Sequence, residues 1–229
     1  MNILLIAATW MEVDLLINEF EETNEKSHLF KECYWGKTNV DVLAAGIGTT
    51  FTAFHLTNAL YQKKYDLVVN VGIAGSLSSE LKIGDVVNVA CDEFSDLGIE
   101  NQHEFLTLFD AGFMEMNEYP FENGILKASY SHDFLRSLKK VRGITTNRSH
   151  GKETGIKELH GRFPAHIETM EGAAVFYVCQ WMGVECCQIR SISNYVEPRD
   201  PSKWNIPLAL ENLKETILLL LQKITDTSD

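Results

Sequence analysis

Long apolar runs are missing from this 229-residue chain. No stretch approaches the roughly 20 residues that a membrane-spanning helix needs. Basic charge is scarce too: 20 Lys and Arg stand against 32 Asp and Glu, a net charge of −12. That balance argues against a nucleic-acid backbone or an anionic membrane surface as the main partner. The five cysteines (Cys33, Cys91, Cys179, Cys186, Cys187) are an odd set without metal-ligand spacing. They read as reduced, mostly buried thiols of a cytoplasmic protein, not as a zinc site or a disulfide framework. The opening MNILLIAAT lacks a basic flank, so it reads as a first strand and not as a signal peptide. Repeats, linkers and low-complexity tracts are also missing, and residues 1–229 read as one domain.

What is present is the composition of an ordinary globular protein, 45% hydrophobic and 23% charged. Residues 2–8 suit a central parallel strand. Thr9 and Glu12 follow at capping-box spacing, ahead of an amphipathic pattern through Phe20. A carboxylate turned back to its own helix is hard to reconcile with one facing a substrate, so the cap and a functional Glu12 compete. Residues 28–35 and 40–45 read as a hairpin. Two glycine turns come next, Gly46-Ile47-Gly48 before a helix near 51–63, and Gly72-Ile73-Ala74-Gly75 after a strand at 66–71. Paired strand-to-loop glycines bring backbone N–H groups to one sheet edge and suit a small polar molecule.

Between Ile83 and Leu126 there is no Lys or Arg, while ten Asp and Glu occur. The plain reading is a solvated acidic insertion. Its aromatics, Phe94 to Phe121, are too many for solvent alone, so part should pack on the body, over a ligand pocket or on a second subunit. Residues 125–147 continue the α/β rhythm, and Arg148, His150 and Lys152 read as exposed loop charges. The chain closes with an amphipathic helix near 203–224.

The densest stretch is 167–199, IETMEGAAVFYVCQWMGVECCQIRSISNYVEPR. It reads as a short strand, a helix opened by Met170-Glu171-Gly172 and stopped by Gly183, then a buried strand ending at Ser193-Asn194. Ligands of open α/β sheets bind beyond the carboxyl ends of strands. Glu171 and Asn194 should therefore flank one crevice.

With these pieces in order, the chain resembles the purine nucleoside phosphorylase/hydrolase family, within it the nucleosidases. The resemblance is carried by Glu12 after the first strand, Ala45-Gly46-Ile47-Gly48, Asn70-Val71-Gly72-Ile73-Ala74-Gly75, Ile83-Gly84-Asp85, Met170-Glu171-Gly172-Ala173-Ala174 and Arg190-Ser191-Ile192-Ser193. It implies a single α/β domain with a twisted mixed sheet, partly closed like a barrel and flanked by helices. A homodimer or larger homo-oligomer is implied as well. Glu12 would orient and deprotonate water, and Glu171 would hold the ribose diol. Gly46, Ile73, Ala74, Gly75, Thr145, Asn147, Met170, Arg190 and Ser193 would line sugar and base. Adenine-cleaving members carry Asp where this chain has Asn194, and an amide cannot act as a general acid.

The resulting expectation is hydrolysis of a 6-oxopurine nucleoside with a bulky 5′ substituent, with neither metal nor organic cofactor. The partner is a small-molecule nucleoside, with no nucleic acid and no membrane. For an anionic 5′ group, Arg148, Lys152 and Arg199 are candidate contacts. A phosphorylase of the same fold fits less well, because the loop Thr9-Trp10-Met11-Glu12 offers a carboxylate where phosphate wants cations. A non-catalytic purine binder is the other alternative, suggested by Asn194 alone.

Overall fold

The computed structural model describes residues 1–226; the last three residues of the expected domain lie outside the described residues. In chain order the elements are β1 (Asn2–Ala7), a 3-10 turn (Trp10–Glu12), α1 (Asp14–Ile17), β2 (Glu21–Ser27), β3 (Phe30–Trp35), β4 (Thr38–Ala44) and α2 (Thr49–Gln62). Next come β5 (Leu67–Ser76), β6 (Val86–Asp92), β7 (Gly98–Glu100), β8 (Phe105–Thr107), β9 (Leu126–Lys127), α3 (Asp133–Ser137) and β10 (Lys139–Thr145). The chain ends with α4 (Glu153–Arg162), β11 (Ile167–Thr169), α5 (Gly172–Met182), β12 (Glu185–Tyr195), a 3-10 turn (Pro201–Lys203) and α6 (Ile206–Asp226).

The main sheet has the order β11-β10-β6-β12-β5-β1-β4-β3-β2, with β9 on β6. Its centre is parallel, β5 lying between β1 and β12. At its far end β5 also pairs antiparallel with β11 through Gly75 and Ser76. That second pairing closes the ring β5-β12-β6-β10-β11, while β1 to β4 extend from it as an open wing. This is the mixed, partly barrel-like sheet the resemblance implied.

Burial on both faces explains the unbroken apolar run of β1. Ile3 and Leu5 join Leu213, Ile217, Leu220 and Leu221 of α6 in one core cluster. Leu4 and Ile6 point the other way, into a cluster with Leu56 and Leu60 of α2 and Phe176 and Val178 of α5. The period of two along a strand sends alternate residues to opposite helical layers. Gly183 ends α5 in the left-handed conformation (φ 66°), the usual helix stop. No helix among the described residues is long and apolar enough to cross a membrane.

Four expectations change. The amphipathic stretch after Glu12 yields only the four-residue α1, because the chain turns at once into β2, an edge strand whose polar sequence carries little strand signal. Gly72 to Ser76 is no turn: β5 runs straight through it, since hydrogen bonds to β12 continue as far as Tyr195. For the same reason β12 runs one residue beyond the expected end at Asn194, to Tyr195, with a register shift between Ile192 and Asn194. Finally, α4 occupies residues that the sequence reading left without an element.

The acidic segment divides. Phe121 is buried, and Phe94 and Phe109 pack against the cluster formed with α5. Phe113 and Tyr119 stay largely exposed at 68% and 58%.

Candidate active site

A cavity of about 330 Å³ opens beyond the carboxyl ends of β1, β5 and β12. Of the residues singled out in the sequence, Glu12, Ile73, Ala74, Gly75, Met170, Glu171, Ser193 and Asn194 line it. Gly46, Thr145, Asn147 and Arg190 do not, and each supports a wall from behind. No residue of the acidic segment lines the cavity, so that segment does not cover it in the single chain.

One end is built from carboxylates. Glu12 leaves β1 at the Trp10–Glu12 turn, and its Oε2 accepts from Ala8 N–H at 3.0 Å and Thr9 N–H at 3.1 Å. Its Oε1 accepts from Ile73 N–H at 3.1 Å. Helix cap and cavity carboxylate, expected to exclude each other, are therefore divided between the two oxygens of one side chain. Glu171 stands at the N-cap of α5, where the helix dipole favours negative charge. Its Oε1 accepts from Gly48 N–H at 3.0 Å. This bond is how the first glycine turn serves the site.

Arg190, 1% exposed, bridges the two acids from beneath, with Nη1 4.0 Å from Glu12 Oε1 and Nη2 3.6 Å from Glu171 Oε2. Gly72 makes room for it. Arg190 and Gly72 are register partners on β12 and β5. A Cβ at position 72 would lie 2.3 Å from Arg190 Nη1 and 2.5 Å from Glu12 Oε1. Burial raises the Glu171 pKa above the ordinary carboxylate value; Arg190 pulls it back down, and Glu12 pushes it up again. Removing one member of such a buried set leaves an uncompensated charge, at a cost of about 3–5 kcal/mol.

Behind Arg190 a chain of amides leads to a third buried acid. Arg190 Nη2 donates to Asn70 Oδ1 (3.0 Å), Asn70 Nδ2 to Gln188 Oε1 (3.1 Å), and Gln188 Nε2 to Asp92 Oδ2 (3.2 Å). Burial pushes the Asp92 carboxyl up to about 7, against the hydrogen bonds from Thr145 and Gln188 and the charge of Arg190. Thr145 donates to Asp92 at 2.9 Å and accepts from Ala173 N–H at 2.8 Å, so it fixes the first turn of α5. Gly172 is needed there, because a Cβ would lie 2.2 Å from Asp92 Oδ2. Asn147 caps α2 instead, its Oδ1 accepting from Thr49 N–H (3.1 Å) and Thr49 Oγ1 (2.7 Å). Gly46 N–H donates to Ala8 O at 2.9 Å and ties the two loops together.

The other end is built around an amide. Asn194 Oδ1 accepts from Ser193 Oγ at 2.8 Å, and Nδ2 donates to Tyr195 O at 2.9 Å. One amide hydrogen remains for the cavity. Beside it sits a pair that the sequence reading missed. His150 was expected as an exposed loop charge, but its side chain is 8% exposed and its Nδ1 is paired with Glu168 Oε2. Glu168 Oε1 also accepts from His150 N–H at 3.1 Å. A glutamate inside the otherwise buried strand β11 was the available signal, since a lone acid is rarely buried without a partner. Of the three cations considered for an anionic substituent, Arg199 lines the cavity, its guanidinium 4.9 Å from the Trp204 ring centroid; Arg148 and Lys152 do not. Among the described residues no group of three His, Cys, Asp or Glu could hold a metal ion.

Two curated futalosine hydrolases are similar to this chain. The one from Streptomyces coelicolor is 32% identical over 182 residues, 77% of this chain and 76% of that protein. The one from Acidothermus cellulolyticus is 30% identical over 183 residues, 79% and 74% of the two chains. Among solved structures, a futalosine hydrolase of Helicobacter pylori superimposes with a TM-score of 0.81 at 20% identity, covering 97% of both chains. An Asp-to-Asn mutant of the methylthioadenosine nucleosidase of the same organism, holding 5′-methylthioadenosine, gives 0.80 at 20% identity over 97% of this chain and 98% of that one. A model of the phosphorylase superfamily matches residues 2–222, a span that takes in both carboxylates, their arginine and the amide beyond them, and the chain belongs to that superfamily.

Proposed function

We propose that this protein hydrolyses the N-glycosidic bond of futalosine, a 6-oxopurine nucleoside of a menaquinone route, to hypoxanthine and dehypoxanthine futalosine. The observation that carries the reading is the carboxylate end of the cavity. Glu12 and Glu171 line it together, and the cation between them, Arg190, lies buried beneath them. An acidic wall repels phosphate and suits water. The similarity to curated futalosine hydrolases supports the substrate.

In this reading Glu171 accepts the ribose hydroxyls, charge-assisted bonds of the stronger kind. Glu12, held by the N–H groups of Ala8, Thr9 and Ile73, takes the proton of the attacking water. The two negative charges favour the cationic sugar that forms as the bond to the base lengthens. Asn194 meets the acceptor edge of the 6-oxopurine. Arg199, stacked on Trp204, is the contact for the carboxylate of the 5′ substituent.

A homodimer fits the surface. Ile47, Phe51 and Phe54, at and just before the start of α2, are more than half exposed, as is Trp181 on α5. An apolar face of this kind marks an interaction surface, and Ile47 also lines the cavity.

The test is product identity in two buffers. Futalosine turnover should proceed at the same rate without phosphate and release a free sugar. Dependence on phosphate, with a sugar 1-phosphate as product, would establish a phosphorylase instead.

A further inference from the structure

The mechanism above leaves two buried ionisable side chains of the cavity wall unused, His150 and Glu168. Their position in the fold is specific. Gly75 of β5 is the register partner of Asn194 on one side and of Glu168 on the other. The pair and the amide therefore meet across a single strand, at the same end of the cavity.

That end has a shortage of donors. The edge of a 6-oxopurine presents N7 and O6, both acceptors, and Asn194 has one N–H left for them. Asn194 also has no proton to transfer, so a proton for the departing base must come from elsewhere. The Nδ1 of His150 is engaged by Glu168, which directs the opposite ring nitrogen away from its partner. No described residue is hydrogen-bonded to that Nε2, and it is not among the fully buried polar atoms left without a partner. It is therefore not fully buried, and His150 lines both this cavity and a second cleft beside α4. Among the described residues, His150 is moreover the only one whose side chain Glu168 meets by hydrogen bond or ion pair, so the carboxylate's orientation and its countercharge rest on the imidazole.

We propose that His150, oriented by Glu168, is the proton donor to the leaving 6-oxopurine; this rests on the N-glycosidic reading above. As the C1′–N9 bond breaks, its electron pair moves into the purine, and the Nε2 proton of the acid form of His150 passes to a ring nitrogen. The water oxygen bonds to C1′, and its proton passes to Glu12. One proton is given and one is taken, and exchange with solvent after product release restores both groups. Glu168 is a positioning residue that offsets the ring's charge.

The experiment compares leaving groups in the intact enzyme. Futalosine needs a proton on its base, whereas 4-nitrophenyl β-D-riboside leaves as a stable phenolate. His150→Gln should lower kcat/KM on futalosine by about 10²–10⁴-fold, the range of general acid catalysis. Its loss on the nitrophenyl riboside should be at least tenfold smaller, and that activity also reports a folded enzyme. Glu168→Gln should show the same selectivity with a smaller loss, mostly in kcat. A wild type active on both substrates, with His150→Gln impaired equally on both or on neither, would overturn the proton donor alone. A wild type that frees no base from any 6-oxopurine nucleoside would overturn the underlying reading instead.

Discussion

The two ends of the cavity are built on opposite principles. At one end, two carboxylates and a guanidinium are buried together, each held by backbone N–H groups or by a chain of amides. Their geometry is over-determined, down to a glycine that leaves room for the arginine. At the other end a neutral amide, tied only to its sequence neighbours, stands beside a single His–Glu pair. The first arrangement suits one invariant task, holding a sugar as it becomes cationic. The second can be rewired by few substitutions, because few contacts depend on each member. On the proposed function, the carboxylate end holds the sugar and the amide end meets the base.

The contrast breaks most severely at Glu12. Glu12→Gln retains a side chain that can accept from Ala8 and Thr9 but loses the base. We expect kcat to fall by about 10²–10⁴-fold with little change in KM. An activity near wild type with only a lowered melting temperature would leave Glu12 as a helix cap.

Next comes Glu171. Removing the 2′-hydroxyl of the substrate should cost a large part of kcat/KM in the wild type, and Glu171→Gln should nearly abolish that discrimination. Equal rates for ribo- and 2′-deoxyribonucleosides in the wild type would remove Glu171 from the diol.

A smaller effect concerns pH. Glu171 must be ionised to accept two hydroxyls, and burial raises its pKa while Arg190 lowers it. The acid limb of kcat/KM should therefore lie above the ordinary glutamate value of about 4.3. Arg190→Gln should move that limb further up, since the opposing charge is gone. A limb at the ordinary value, unmoved in the variant, would contradict the coupling.

The smallest effect is on stability. Asp92 is pushed up to about 7 in the folded protein from the ordinary value of 3.8. A carboxyl raised on folding binds its proton more tightly in the native state. Its stabilising contribution is fully present below about pH 4 and is lost as pH rises to about 7. Asp92→Asn should flatten this part of the profile, measured as melting temperature between pH 5 and pH 8. A wild-type profile that rises over that window, with no difference in the variant, would remove Asp92 from the balance.

The legibility of this fold in its sequence follows the same division. The central strands could be read because β1 and β5 are buried on both faces and so are largely apolar. Helix α5 could be read from its small apolar face and from Gly183. The edge strand β2 is polar and short of signal, and the eye passes over it. The glycines at 72 and 75 misled because glycine signals a turn and a close approach equally well. Here the approach of Arg190 and Glu12 was the reason for Gly72. Glu12, Glu171 and Asn194 were legible, lying directly at strand and helix ends. His150 was not, since its partner Glu168 is 18 residues away and only the pairing of β11 with β5 brings it to the cavity.

The central claim is that the amide end selects a 6-oxopurine. It is tested most directly by chromatographic measurement of free base released by the wild type from futalosine and from methylthioadenosine. A mismatched buried polar pair costs about 1–3 kcal/mol, so the account expects hypoxanthine release to exceed adenine release by about ten- to a hundredfold in kcat/KM. Comparable release of both bases would contradict it.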